Sequence, residues 1–213
     1  MKNLYKRQIE VIGEENQNKL KEKTALIVGC GGLGNIIATT ISCIGLKKIY
    51  LIDYDKIEIH NIHRQFQFTQ NDIGKNKSEV LKQKIKRCKN TKIVSLCEKF
   101  SQDIDLQTDL IFDATDNFET RLQIDKFAKK LNIPWIYASV EELHGQIGVF
   151  KKTSFEIFAT KNHNITGQLP MMVNLIGSIS SMLGVKVLIN QQEEVFYYVN
   201  FETDLEIKKF KFQ

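Results

Sequence analysis

The sequence predicts an α/β fold, a mainly parallel sheet flanked by helices and continued by antiparallel strands. Three observations carry this expectation. Residues 25–28 are a short apolar run without polar alternation, the pattern of a parallel strand covered on both faces. Gly29, Gly31, Gly32 and Gly34 follow at once and lead into an apolar helix over residues 33–44 that stops at Gly45. A second apolar run, residues 48–52, returns and ends at Asp53, with Asp55 just beyond it.

This strand, turn, helix and strand make a Rossmann-like unit. Glycines there let the backbone turn tightly and let a phosphate approach the first amides of the helix, whose positive end attracts anions. Asp53 lies where a ribose hydroxyl is held in such units. The fingerprint serves NAD, FAD and ATP alike, and close helix packing is a further use of the same glycines, so the choice falls to residues downstream.

The 213 residues suit one domain, with a helical segment over about 1–22, a nucleotide-binding core over about 23–140 and an extension of antiparallel strands and a long helix over about 141–213. Residues 5–21 read as a polar helix with a sparse apolar stripe of Ile9, Val11, Ile12 and Leu20. After Asp53 comes a polar loop of about twenty residues bearing His60, Asn61, His63, Arg64 and Gln65, with Lys77 opening a lysine-rich helix over 75–89. Arg64 offers a planar fork and Lys77 a compact ammonium, two ways of holding phosphates. Either is equally at home as a surface cation.

An edge strand over 92–96 and a core strand over 109–112 follow, the latter ending in DATDN at 113–117. Strand carboxyl ends line the ligand crevice of an open parallel sheet, so Asp113 and Asp116 are expected to face the ligand. Asp116 suits magnesium, and Asp116 or Asn117 also suits capping of the helix that runs to residue 131. Strands are expected over 135–140 and 144–152 and along an antiparallel edge at 154–158. A polar loop over 160–168, an apolar helix over 169–189 and a closing hairpin of 195–201 with 205–212 complete the chain. Trp135 reads as core rather than as a cofactor stack.

Composition narrows the classes. The formal charge of +5 is spread over many segments, which calls for no nucleic acid and at most favours a mildly acidic protein partner. The cysteines, Cys30, Cys43, Cys88 and Cys97, form no C-x-x-C pair, as in a reduced cytoplasmic protein, and residues 1–13 lack a signal-peptide core. The apolar stretch 169–189 contains Asn174, Ser178, Ser180, Ser181 and Lys186, a poor membrane span and a better buried or subunit-interface helix.

YKRQI at 5–9, GCGGLG at 29–34, LIDYD at 51–55, NIHRQFQF at 61–68, DIGKNKSEV at 72–80, DATDN at 113–117, GQIGVF at 145–150 and LIGSISS at 175–181 occur in this order. Together they resemble the ThiF/MoeB/HesA family, bacterial relatives of ubiquitin-activating enzymes, and within it look most like ThiF. The resemblance implies adenylation of the C-terminal glycine carboxylate of a small ubiquitin-like sulfur carrier by ATP with Mg2+. A ThiS-like carrier of thiamine biosynthesis is the first expectation, a MoaD-like carrier of molybdopterin biosynthesis the alternative. It further implies that the glycine turn packs against the nucleotide, Asp53 binds the ribose, Asn61, Arg64 and Lys77 handle the phosphates, and Asp116 holds magnesium. Arg7 would reach the ATP of the neighbouring subunit of a homodimer. Zinc-bearing members carry two C-x-x-C pairs, which are missing here, so no zinc is expected. Some relatives place a reactive cysteine before the long helix; here Thr166 stands near that position, which confines the chain to making the adenylate. An NAD-dependent oxidoreductase and a non-catalytic scaffold are the rival classes, and both leave Arg64, Lys77 and Asp116 idle.

Overall fold

Apolar runs that permit no solvent on either side become the centre of a single sheet. The computed structural model describes residues 4–86, 90–158 and 167–212. Among these, β1 (Thr24–Val28), β2 (Lys48–Ile52), β3 (Lys92–Leu96), β4 (Leu110–Asp113), β5 (Trp135–Glu141), β6 (His144–Phe150), β7 (Val195–Asn200) and β8 (Glu206–Phe210) assemble in the order β3-β2-β1-β4-β5-β6-β7-β8. Neighbours from β3 to β5 run parallel, and those from β5 to β8 antiparallel. The order reverses beside β1, which pairs with β2 on one side and β4 on the other, and a ligand crevice is expected above this point.

Helices cover the parallel half on both faces. On one face α2 (Gly32–Ile41), α3 (Lys77–Lys84) and α5 (Pro170–Leu188) bury Ile27, Ile49, Leu51, Phe112 and Ile136. On the other, α4 (Phe118–Leu131) buries Leu26, Ile111, Trp135 and Phe150 through Ile124 and Phe127. Each β5 residue alternates between the two cores, as a period of two demands. Among the described residues α5 is the one helix long and apolar enough to cross a membrane; it packs instead on α2 and on β4 to β6, with half its length buried. Gly177 admits Ile36 of α2, where a methyl group would stand 2.8 Å from the Ile36 Cβ.

Several details differ from the sequence expectations, among them α3, which spans Lys77–Lys84 rather than 75–89, and β6, which stops at Phe150 rather than 152. α2 ends at Ile41 rather than near 44, because residues 42–45 form a turn whose Ile44 carbonyl accepts hydrogen bonds from Gln8 (2.9 Å) and Gln17 (3.0 Å) of α1 (Lys6–Leu20). Residues 154–158 are not a strand: Phe155–Phe158 form a 3₁₀ turn. The buried Asp125 carboxylate accepts from the Ser154 hydroxyl (3.2 Å) and the Phe155 amide (3.3 Å), and the Phe155 ring enters the aromatic cluster of Trp135 and Phe150, so this backbone is tied to α4 rather than to a ladder. Finally, β4 runs on through Asp113. Cys88, Thr166 and the loop up to residue 166 lie outside the described residues.

Candidate functional site

A cleft of about 1350 Å³ opens above the carboxyl ends of β1, β2 and β4. Its walls include Gly29, Gly31, Gly32, Asp53, Asp55, Asn61, Arg64, Lys77, Asp116 and Asn117, residues that the chain spreads over nearly ninety positions. Gly34 and Arg7 are not on its wall.

The glycines divide by task. Gly29 has φ +92°, and a Cβ there would stand 2.6 Å from the Ala114 carbonyl; at Gly34 it would run into the Gly29 carbonyl. These two serve the turn itself. At Gly32 a Cβ would stand 2.9 Å from Val173 of α5, and only at Gly31, where its nearest neighbour would be Gln65 Nε2 at 3.6 Å, is there ordinary room on the cleft side. Packing therefore accounts for more of the glycines than the sequence reading assigned to it, and the approach open to a phosphate is narrower. Helix α2 starts at this turn and points its positive end at the cleft.

Asp53 follows directly on β2 and is buried. Its two oxygens accept from the Cys30 amide (2.6 Å) and the Asp55 amide (2.7 Å), which fixes the carboxylate beside the glycine turn. Burial pushes its pKa up, against the pull of these amides and of Lys77. Lys77 opens α3 behind its cap Asn76, whose Oδ1 accepts from the Ser78 amide at 2.9 Å. The ammonium, 10% exposed, donates to the half-exposed Asp55 at 2.8 Å. Backbone bonds from Lys77 to Asp55 and from Ile57 to Lys75 clip the start of α3 to the exit of β2.

Arg64 donates through Nε to Gln168 Oε1 (2.8 Å) and through Nη1 to the His60 carbonyl (2.9 Å). Desolvation lowers its pKa while the nearby Asp116 opposes that, so the two groups feel one another across the cleft. A guanidinium so placed stays charged. Asn61 is buried one turn earlier and accepts from the Glu58 amide at 2.9 Å. Asn117 caps α4 by accepting from the Thr120 amide (2.9 Å), which leaves Asp116 exposed at the cleft wall.

Asp113 corrects an expectation. It does not face the cleft but is fully buried, accepting from the Thr115 hydroxyl (2.6 Å) and amide (2.9 Å) and from Arg121 Nε (3.2 Å). Burial raises its pKa, opposed first by Arg121. Arg121 also donates to the Thr115 carbonyl at 2.7 Å and lies 5.0 Å from the Tyr137 ring, so it clamps the loop that carries Asp116. The sequence reading missed Arg121. The available signal was a cation in the first turns of a helix, where the dipole disfavours it unless an acid compensates. Tyr54, Lys99, Ser139 and Gln168 on the cleft wall were also missed, and no pattern in the sequence singles them out. Arg7 lies on the exposed side of α1, 92% exposed and paired with Glu10 at 3.1 Å.

Two cations, a helix N-terminus and two separated acids suit a polyanion with a sugar hydroxyl at one end and a divalent ion at the other. The chain is similar to several known proteins. A probable molybdopterin-synthase adenylyltransferase of Porphyra purpurea is 30% identical over 192 residues, covering 82% of this chain and 50% of the relative. A sulfur carrier protein adenylyltransferase of Thermus thermophilus is 29% identical over 144 residues, 65% of this chain and 53% of the relative. The chain thus spans about half the length of these curated relatives. Among solved structures, E. coli MccB with AMPCPP and MccA matches with a TM-score of 0.83 over 98% of this chain and 71% of that chain, at 21% identity, a likeness of fold. The sequence pattern of the ThiF family covers residues 5–212, and on that match the chain belongs to the ThiF family.

Proposed function

We propose that the chain is an ATP-dependent adenylyltransferase that activates the C-terminal carboxylate of a small ubiquitin-like sulfur carrier, with residues 1–213 acting as one adenylation domain. The observation that supports this reading is the convergence of Arg64, Lys77 and Asp116 with the glycine turn on one cleft. An NAD-dependent oxidoreductase has no use for these three charges.

In the proposed reaction one oxygen of the carrier carboxylate bonds to the α-phosphorus of ATP while the bond to the bridging oxygen of pyrophosphate breaks. Pyrophosphate leaves with that electron pair, and the acyl-adenylate remains. The protein's share is positioning and charge neutralisation. Asp53, held by two amides, accepts from the ribose; the α2 amides, Asn61, Arg64 and Lys77 receive phosphate oxygens, with Asp55 aiming the Lys77 ammonium. Among the described residues no group of three or more His, Cys, Asp or Glu is arranged to hold a metal on protein ligands alone. A lone exposed carboxylate beside a phosphate site fits magnesium, which keeps its waters and takes one or two carboxylates plus substrate phosphates. Asp116 would be that ligand, and the ion would supply neutralisation of charge on the phosphates.

A MoaD-like carrier is favoured over the ThiS-like one first expected, because relatives along most of the chain are named molybdopterin-synthase adenylyltransferases. The exposed Arg7 fits delivery to the cleft of a second copy in a homodimer, since within its own chain it stands off the cleft wall. Carrier-dependent exchange between ATP and labelled pyrophosphate tests the reading. MoaD-like protein should support exchange and ThiS-like protein should support less. Tight NAD binding without ATP binding in separate titrations would remove it.

A further inference from the structure

The geometry points to Asn35 as a positioning residue that latches the glycine turn to the Arg64 loop, so that the two phosphate-binding segments act as one body. The inference rests on the nucleotide reading of the cleft above and adds a residue that touches no ligand itself.

Asn35 lies in the first turns of α2 and is completely buried. Its Nδ2 donates to the Cys30 carbonyl inside the glycine turn (3.0 Å), and its Oδ1 accepts from the Gln67 amide (2.9 Å), three residues beyond Arg64. These partners fix the orientation of the amide, because a carbonyl can only accept and a backbone N–H can only donate. A second contact repeats the connection. The Thr39 hydroxyl donates to the Asn35 carbonyl (2.6 Å) and accepts from Gln67 Nε2 (3.0 Å). Gln65, between Arg64 and this latch, is buried against Gly31. Arg64 thus has its backbone held from the α2 side while Gln168 and His60 hold its guanidinium.

An apolar side chain at position 35 would leave both a buried carbonyl in the turn and the Gln67 amide without their partners. Either group can regain one only by moving towards water, and the movement separates the turn from Arg64. A buried asparagine that merely satisfies itself would bond within its own helix. Asn35 instead gives one amide atom to each of two segments that reach the cleft wall.

Asn35→Leu keeps the branching and the number of heavy atoms, in a larger side chain, and removes both bonds; Asn35→Ala is the second variant, to be measured the same way should the leucine protein not fold. Affinity for AMPCPP by calorimetry is expected to fall about tenfold, one net hydrogen bond's worth. In an Arg64→Ala background at least half of that loss should disappear, since the latch acts partly through Arg64. Losses that simply add would overturn the proposal. Amide exchange in nucleotide-free protein gives a readout that needs no ligand: exchange should rise together in residues 29–34 and 64–68. A rise confined to one segment refutes the latch. Wild-type protein that binds no AMPCPP would sink the proposed function alone, and the exchange result would still decide this inference.

Discussion

Replacing Arg121 by methionine tests how the loop bearing Asp116 is held. Asp113 is 0% exposed and the Arg121 side chain 13% exposed, so the pair is desolvated on both sides. Removing one partner of a buried pair costs about 3–5 kcal/mol. The two Thr115 bonds to Asp113 survive, which argues for the lower end, about 3 kcal/mol. For a chain of this size that corresponds to a fall in Tm of roughly 6–12 °C. The pH dependence carries more information than the magnitude. The folded-state pKa of Asp113 is raised by burial, so its linked stability is complete below the usual carboxylate value and is lost as pH rises through the folded value. Without Arg121 that folded value rises further. The deficit of the variant should therefore widen on the alkaline side and narrow as pH falls towards about 4. Urea unfolding at pH 5 and pH 8 reads both quantities, and the double variant Asp113→Asn/Arg121→Met should recover much of the loss. A deficit that is the same at both pH values would show that Arg121 does not act on the Asp113 charge.

The two uses of glycine should separate by substitution. Gly34→Ala drives a methyl group into the Gly29 carbonyl and is expected to cost about 2 kcal/mol or more in urea unfolding, whereas Gly31→Ala should keep the unfolding midpoint and lose AMPCPP affinity instead. Lys77→Gln should lower AMPCPP affinity at least about tenfold, with a weaker salt dependence than wild type, and leave the fold intact because Asp55 is half exposed. Asp72 is pushed up by burial but held down at about 2 by Thr69, Lys84 and Lys75. Its contribution is complete above the usual carboxylate value and declines from there as pH falls through about 2, so Asp72→Asn should cost on the order of 1 kcal/mol at pH 7 and less near pH 2.5. Urea midpoints at the two pH values check it.

What the sequence made legible is local or set by period. The run 25–28, the glycines and the return to Asp53 specify a β-α-β unit because each feature acts within a few residues of itself, and the observed β1, α2 and β2 follow them closely. The hairpin of β5 and β6 was legible for the same reason, its turn closing between Glu141 and His144. Orientation at the site was not. Whether Asp113 faces ligand or protein depends on Arg121, eight residues on in the first turn of α4, and that partnership leaves no periodic trace. The stretch at 154–158 alternates like a strand, yet Asp125 on α4 captures its amide and hydroxyl, a tertiary contact that overrides the local preference. Which glycines serve the turn and which face the cleft is likewise decided by atoms elsewhere in the chain, the Gly29 and Ala114 carbonyls and the Val173 side chain.

The same distinction explains why the glycine motif alone cannot name the ligand. A sheet with its order reversing beside β1 offers a crevice, a helix N-terminus and an acid at the end of β2 to any nucleotide. Selection between ligands comes from what the next segment brings back over that crevice. Here residues 54–77 make no crossover of the usual brief kind. The chain loops out, is clipped to the exit of β2 by the backbone of Ile57 and Lys77, and returns Asn61, Arg64 and Lys77 to the cleft from one side while Asp116 arrives from β4 on the other. Opposite charges gathered from separate connections around an uncharged turn are costly to keep in a protein that binds only a nicotinamide dinucleotide, since Arg64 and Lys77 must be desolvated and held. Their presence in one cleft is the physical reason a triphosphate is the ligand we propose.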